Sequence, residues 1–186
     1  SDQLESFIIQ LSHLMRYMLY ESGEKRVTLE REIEYLKNYI DLQKLRFGND
    51  VTIEFNSQVE RVDLPIEPML LIPFVENAFK HGASKMLQHP WIKLIITIED
   101  SQLIFNLTNS KPLASPASNG KNGLGLKNVR RRLQLLYPTT HSLVINSLSD
   151  YFSVEMVVAL EKVPGSQELS RLETKTITHI PSYAGI

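Results

Sequence analysis

Two short segments carry residue types that could do chemistry. The first is Pro73-Phe74-Val75-Glu76-Asn77-Ala78-Phe79-Lys80-His81-Gly82. Its apolar spacing reads as helical, so Asn77 and His81 at i,i+4 and Asn77 and Lys80 at i,i+3 share one face. Glu76 and Lys80 are also four apart and can pair. A carboxamide oxygen beside a carboxylate is a hard-oxygen donor set that Mg²⁺ accepts. Lys80 and His81 can meet phosphate oxygens. The same pattern also describes a solvated helix face with an ordinary ion pair, and these residue types alone leave both readings open.

The second segment is Gly120-Lys121-Asn122-Gly123-Leu124-Gly125-Leu126-Lys127-Asn128-Val129. It passes from a loop into a helix. Glycines let backbone approach a ligand, and a helix N-terminus presents free N–H groups to anions. Lys121, Lys127 and the run Arg130-Arg131-Arg132 surround it with positive charge. It lacks the Gly-Lys-Ser/Thr register of a Walker A loop, and no strand leads straight into it as in a dinucleotide fingerprint. A flexible turn before a basic, solvated helix has the same composition. Residues 110–122, rich in Ser, Asn, Pro and Lys, separate the two segments together with a β-hairpin. A long loop without its own period suits a lid over a ligand lying between two helices.

The elements that must position these residues follow from periodicity. Leu4, Phe7, Ile8, Leu11, Leu14, Met15 and Met18 form a helical stripe on a first helix that stands apart from the rest and reads as a subunit contact. Leu29, Ile33, Leu36 and Ile40 form a second, with Thr28 as N-cap and Glu30 and Glu32 in its first turn. The stretch 51–55 alternates as a strand. Pro68 suits the first turn of a helix that runs from Met69 to His81 and ends at Gly82. Ile92 to Ile98 and Leu103 to Leu107 alternate on either side of Asp100-Ser101, which predicts a hairpin. A further helix points Val129, Leu133 and Leu136 inward before Pro138, and two more strands follow, 143–145 and 152–160. Strand hairpins and helices in this order predict an α+β two-layer sandwich, a mixed or antiparallel sheet with helices on one face.

Composition is that of an ordinary folded domain, 42% hydrophobic and 22% charged over 186 residues. A net charge of −1 (20 Lys and Arg, 21 Asp and Glu) excludes a global electrostatic grip on nucleic acid. The absence of cysteine removes thiolate chemistry, disulfides and cysteine zinc sites. With no long apolar run and no signal-like start, the chain reads as intracellular and as a piece of something longer.

Taken together, the two segments resemble the N box and the glycine-rich G2 box of the GHKL ATPase/kinase superfamily. Their wording is similar to that of the LytS-like sensor histidine kinases, as are Leu11-Ser12-His13-Leu14-Met15-Arg16-Tyr17 and Tyr35-Leu36-Lys37-Asn38-Tyr39-Ile40. The resemblance covers residues 4–160. It implies a Bergerat-type sandwich that binds ATP and Mg²⁺ and phosphorylates a histidine within a homodimer joined through the N-terminal helices. The phosphoryl group then passes to a response regulator receiver domain. Asn77 matches the Mg²⁺-binding asparagine, Lys80 and His81 the phosphate-side positions, and Glu76 the neighbouring acid, for acceptor activation or metal support. The implied catalytic set is Glu76, Asn77 and Lys80. The implied ATP-binding set is Asn77, Lys80, His81, Gly82, Asn109, Gly123, Leu124, Gly125, Leu126 and Lys127, with Asn77 as the metal ligand.

Asn109 stands at the end of the strand 103–108, where the family's G1 box has an Asp that accepts the adenine amino hydrogen. Here Asn109-Ser110-Lys111 replaces Asp-x-Gly. A carboxamide oxygen can accept the same bond with a weaker, uncharged contact. The implied division is 1–27 dimerisation helix, 28–162 ATP-binding domain and 163–186 polar tail. The family's Pro-His-Phe-Leu-Phe-Asn acceptor string is absent. The expectation is therefore a cytoplasmic domain whose acceptor histidine and membrane anchor lie in a missing N-terminal region of a bacterial sensor. Two other readings are a GHKL-type ATPase clamp and a degenerate, non-enzymatic nucleotide-binding or dimerisation module. The clamp enzymes carry a catalytic Glu one turn before the Asn, where this chain has Pro73.

Overall fold

The structure is a computed structural model that describes residues 2–21, 23–83, 88–112 and 124–160. The tail 163–186 and most of the expected lid lie outside the described residues. Helix α1 (Asp2–Arg16) continues into a π-helical turn, Tyr17–Glu21. Strand β1 (Val27–Thr28) leads directly into α2 (Leu29–Phe47), whose N-cap Thr28 accepts from Arg31 N at 3.4 Å. After α2 come β2 (Thr52–Gln58), β3 (Pro65–Ile66), α3 (Ile72–His81), β4 (Trp91–Glu99) and β5 (Gln102–Ser110). The chain closes with α4 (Leu124–Leu136), β6 (His141–Ser147) and β7 (Tyr151–Ala159).

The main sheet has the order β2-β4-β5-β7-β6. Only β2 runs parallel to its neighbour, β4; the other pairings are antiparallel, so the sheet is mixed. A hairpin at Asp100-Ser101, both at positive φ, sets the β4–β5 register with Ile98 opposite Leu103. Alternation then sends Ile92, Leu94, Ile96, Leu103, Phe105, Leu107, Val154, Met156 and Val158 to one face, where all are buried. Phe74 of α3 meets Phe105 there with ring centroids 5.6 Å apart. The α+β sandwich with helices against one face is thus the observed architecture. Two-residue strands β1 and β3 pair antiparallel as a separate ribbon. They are too short to leave a period in the sequence.

Several sequence expectations change. The third helix begins at Ile72, not Met69, because Met69 adopts φ +57° and cannot join a right-handed helix. Its early proline is therefore Pro73, and Pro68 belongs to the preceding turn. Leu136 does not point inward; it is 39% exposed, and Leu126 is buried one face away. The first helix is not detached: it lies along α2, with Leu14 and Tyr17 in the core and Tyr17 stacked 4.4 Å from Tyr35. Strand β6 starts at His141, two residues before the expected strand 143–145, with the His141 Nδ1 bonded to the Tyr137 carbonyl. Ser110 belongs to β5, where Trp91 N donates to its hydroxyl at 2.9 Å.

Candidate nucleotide site

Helix α3 presents the first segment. Phe74, Val75, Ala78 and Phe79 face the core, which turns Glu76, Asn77, Lys80 and His81 outward or half outward. Asn77 and His81 are half-buried, and Lys80 is exposed. Glu76 lies on the side of α3 toward α2. Burial pushes its carboxyl above the usual range, with Lys80 opposing, and its charge helps to push Tyr35 and Tyr39 up to about 12. Burial is the larger cause for both tyrosines. Glu76 and Lys80 form no contact ion pair among the described residues.

The helix ends against Asn109. Gly82 N donates to the Ala78 carbonyl at 2.8 Å, closing α3 in right-handed geometry at φ −91°. The expectation of Gly82 as helix end holds, but its reason is space and not a left-handed turn. A Cβ there would stand 2.5 Å from the Ala78 carbonyl oxygen, 2.5 Å from Asn109 Nδ2 and 2.9 Å from the Ser110 carbonyl oxygen. Asn109 lies on β5 in the helix-facing register of Leu103, Phe105 and Leu107 and is 3% exposed. Its Nδ2 donates to the Ser110 carbonyl at 2.8 Å, while its Oδ1 is buried with no partner among the described residues. A buried acceptor left unpaired costs about 1–3 kcal/mol. A donor supplied by a ligand removes that cost.

Helix α4 brings the second segment alongside. A Cβ on Gly125 would meet only Pro73 Cβ, at 4.0 Å, an ordinary contact. The head of α4 therefore sits beside the first turn of α3, one turn before Asn77. Space inside the fold does not demand glycine at 125, unlike 82. Leu126 is buried and Lys127 exposed, and Leu124 is the first residue of α4; Gly123 lies outside the described residues. The structure thus joins Gly82 to Asn109 and Gly125 to the head of the Asn77 helix.

The expected basic cluster is smaller than the sequence suggests. Arg130 and Arg131 are exposed, but Arg132 turns back to the segment before α3. Its guanidinium donates to the Met69 carbonyl at 3.0 Å, the Pro68 carbonyl at 2.6 Å and Glu67 Oε1 at 3.1 Å. Sequence reasoning also missed Glu32, which is fully buried and accepts from Leu71 N and Met69 N, each at 3.0 Å. Tyr17 donates its hydroxyl to the same carboxylate at 2.5 Å. Burial raises the Glu32 carboxyl above its usual range and, with the Glu32 charge, raises the Tyr17 phenol. A single Glu on the stripe Leu29, Ile33, Leu36 was the available signal.

No group of three or more His, Cys, Asp or Glu able to hold a metal occurs among the described residues. Asn77, half-buried on the outward side of α3, offers a single carboxamide oxygen there. No helix among the described residues is long and apolar enough to cross a membrane.

A family model described as histidine kinase matches residues 1–51, the helical region. The sensor protein LytS of Oceanobacillus iheyensis is 26% identical over 147 residues, covering 72% of this chain and 25% of LytS. The sensor histidine kinase BtsS of Escherichia coli is 30% identical over 134 residues, covering 72% of this chain and 24% of BtsS. The chain thus spans about a quarter of these relatives. Among solved structures, the histidine kinase domain of the Erythrobacter litoralis EL346 blue-light activated histidine kinase gives a TM-score of 0.54 at 20% identity. That match covers 86% of this chain and 76% of the domain, and shares the fold. The fold of this chain is thus one it shares with that histidine kinase domain. The chain itself is a homologue of the LytS-like sensor histidine kinases.

Proposed function

We propose that this chain binds ATP–Mg²⁺ between α3 and α4 and transfers the γ-phosphoryl group to a histidine, as the catalytic part of a sensor kinase. The observation that carries the reading is the buried, unpartnered Oδ1 of Asn109 beside Gly82. An amino group such as that of adenine donates to this oxygen. Asn77 holds Mg²⁺, which neutralises phosphate charge when bound. Lys80 and His81 face the phosphates, and the backbone around 123–127, with Lys127, holds their far side. Gly82 lets the end of α3 pack directly against Asn109.

In the transfer, a histidine ring nitrogen attacks the γ-phosphorus and the bond to the ADP oxygen breaks. The ring N–H proton leaves to a base, for which Glu76 is positioned on the α2 side of α3. The phosphoryl group then moves from nitrogen to an aspartate carboxylate of a response regulator receiver domain. Exposed Leu4, Ile8, Leu11 and Met15 on α1 supply the apolar surface for a homodimer. On this reading residues 1–27 belong to the dimerisation region, 28–162 form the catalytic domain and 163–186 are a tail. The domain works in the cytoplasm of a membrane-anchored bacterial sensor. The ATPase clamp is disfavoured by Pro73, which occupies the place of its catalytic Glu.

The test supplies γ-labelled ATP and Mg²⁺ with a polypeptide carrying the acceptor histidine of a LytS-like relative. An alkali-stable, acid-labile label on that polypeptide supports the kinase. Rapid phosphate release that is indifferent to the polypeptide supports the clamp instead.

A further inference from the structure

The turn 67–71, between β3 and α3, is held from both sides. Met69 is a non-glycine residue at φ +57°, a strained conformation that persists only where its surroundings fix it. On one side, Glu32 takes the Met69 and Leu71 N–H groups. Leu71 caps α3 without a side-chain bond of its own, so the Glu32 carboxylate serves as the missing cap at the positive end of the helix. The same carboxylate receives the Tyr17 hydroxyl from the π-helical end of α1. On the other side, Arg132 of α4 takes the carbonyls of Pro68 and Met69 and the carboxylate of Glu67. Glu67 N donates to the Tyr137 hydroxyl at 3.1 Å, and Arg26, in the link after α1, donates to the same oxygen.

We propose that Glu32 is a positioning residue that couples α1 to the nucleotide site through this turn. A shift of α1 moves Tyr17, and Glu32 carries that movement to the head of α3, whose outward face bears Asn77 and Lys80. Arg132 carries it on to α4, whose head lies beside Pro73. The two helices that flank the site are therefore set by one turn, and that turn is tied to α1 by one buried carboxylate. By linkage, nucleotide binding also biases the position of α1. The proposal rests on the nucleotide reading of the α3–α4 site.

The test titrates the 186-residue chain with ADP–Mg²⁺ by calorimetry, comparing the wild type, Tyr17→Phe, Glu32→Gln and the double variant. Amide hydrogen exchange is measured on the same proteins without nucleotide. Tyr17→Phe keeps the ring stack on Tyr35 and loses only the hydroxyl. The expected result is a loss of ADP affinity of about five- to tenfold for Tyr17→Phe. At least as large a loss is expected for Glu32→Gln, with the double variant no weaker than Glu32→Gln alone. Exchange should quicken at 72–81 and stay unchanged in β4 and β5. If Glu32→Gln does not fold, Tyr17→Phe decides. Unchanged exchange at 72–81, quickened exchange throughout the sheet, or wild-type ADP affinity in Tyr17→Phe overturns the coupling. A wild type that binds no ADP overturns the nucleotide reading, while the exchange comparison still decides the link between α1 and α3.

Discussion

Gly82 and Asn109 share a space too small for one more carbon: a Cβ on Gly82 would stand 2.5 Å from Asn109 Nδ2. The end of α3 is thereby pressed onto the strand residue whose carboxamide oxygen is buried with no hydrogen-bond partner among the described residues. Gly82→Ala must push β5 or α3 aside, because two of the three nearest atoms are backbone carbonyl oxygens. A destabilisation of about 1–3 kcal/mol is expected, seen as a lower Tm, together with loss of ADP binding.

Gly125 gives the opposite pairing of effects. The fold has room for a methyl group there, with Pro73 Cβ at 4.0 Å. Gly125→Ala should leave stability unchanged or raise it by about 0.5 kcal/mol, since alanine is the better helix residue. Nucleotide affinity should nonetheless fall, because the added carbon stands where phosphates approach the head of α4. Thermal unfolding and an ADP titration of the same variant check both halves.

Asn109→Leu removes an acceptor that has no partner in the free protein. Loss of the Nδ2 bond to Ser110 offsets part of the gain, so the free protein should unfold within about 1 kcal/mol of the wild type. ADP affinity should drop tenfold or more, because the adenine amino group then meets an apolar wall. A variant that unfolds normally yet binds normally contradicts the adenine contact.

Glu32 gives a pH dependence of definite sign. Its folded carboxyl titrates above the ordinary value of 4.5, mainly through burial, so the fold holds the proton more tightly than the unfolded chain does. Its contribution to stability is full below that ordinary value and is lost as pH rises through the folded value. Glu32→Gln lacks this loss. The Tm difference between Glu32→Gln and the wild type should therefore shift in favour of the variant as pH rises from about 4 to about 8. A difference independent of pH contradicts the assignment.

The two segments were legible because they set uncommon residue types at fixed spacing. Asn77, Lys80 and His81 share a helix face on any helix built from that string, and glycines before a helix point to backbone near a ligand. Sheet and hairpin were legible because Ile92–Ile98 and Leu103–Leu107 alternate cleanly. What stayed hidden depends on long-range partners. By sequence Glu32 is a first-turn acid like Glu30, yet it falls beside Ile33 on the buried stripe and meets Leu71 across the chain. Arg132 looked like one of three phosphate-side cations until Glu67 and the carbonyls of Pro68 and Met69 came within reach. The start of α3 was misplaced because nothing local distinguishes Met69 at positive φ from a helical methionine.

The central claim is that the space between α3 and α4 binds an adenine nucleotide with Mg²⁺, and calorimetric titration of the chain with ADP tests it most directly. Binding should be tight with Mg²⁺ and several-fold weaker without it, and Asn77→Ala should abolish that difference while leaving Tm nearly unchanged, since Asn77 is half-exposed. No heat of binding at millimolar ADP with Mg²⁺, or an Asn77→Ala variant with undiminished Mg²⁺ dependence, contradicts it.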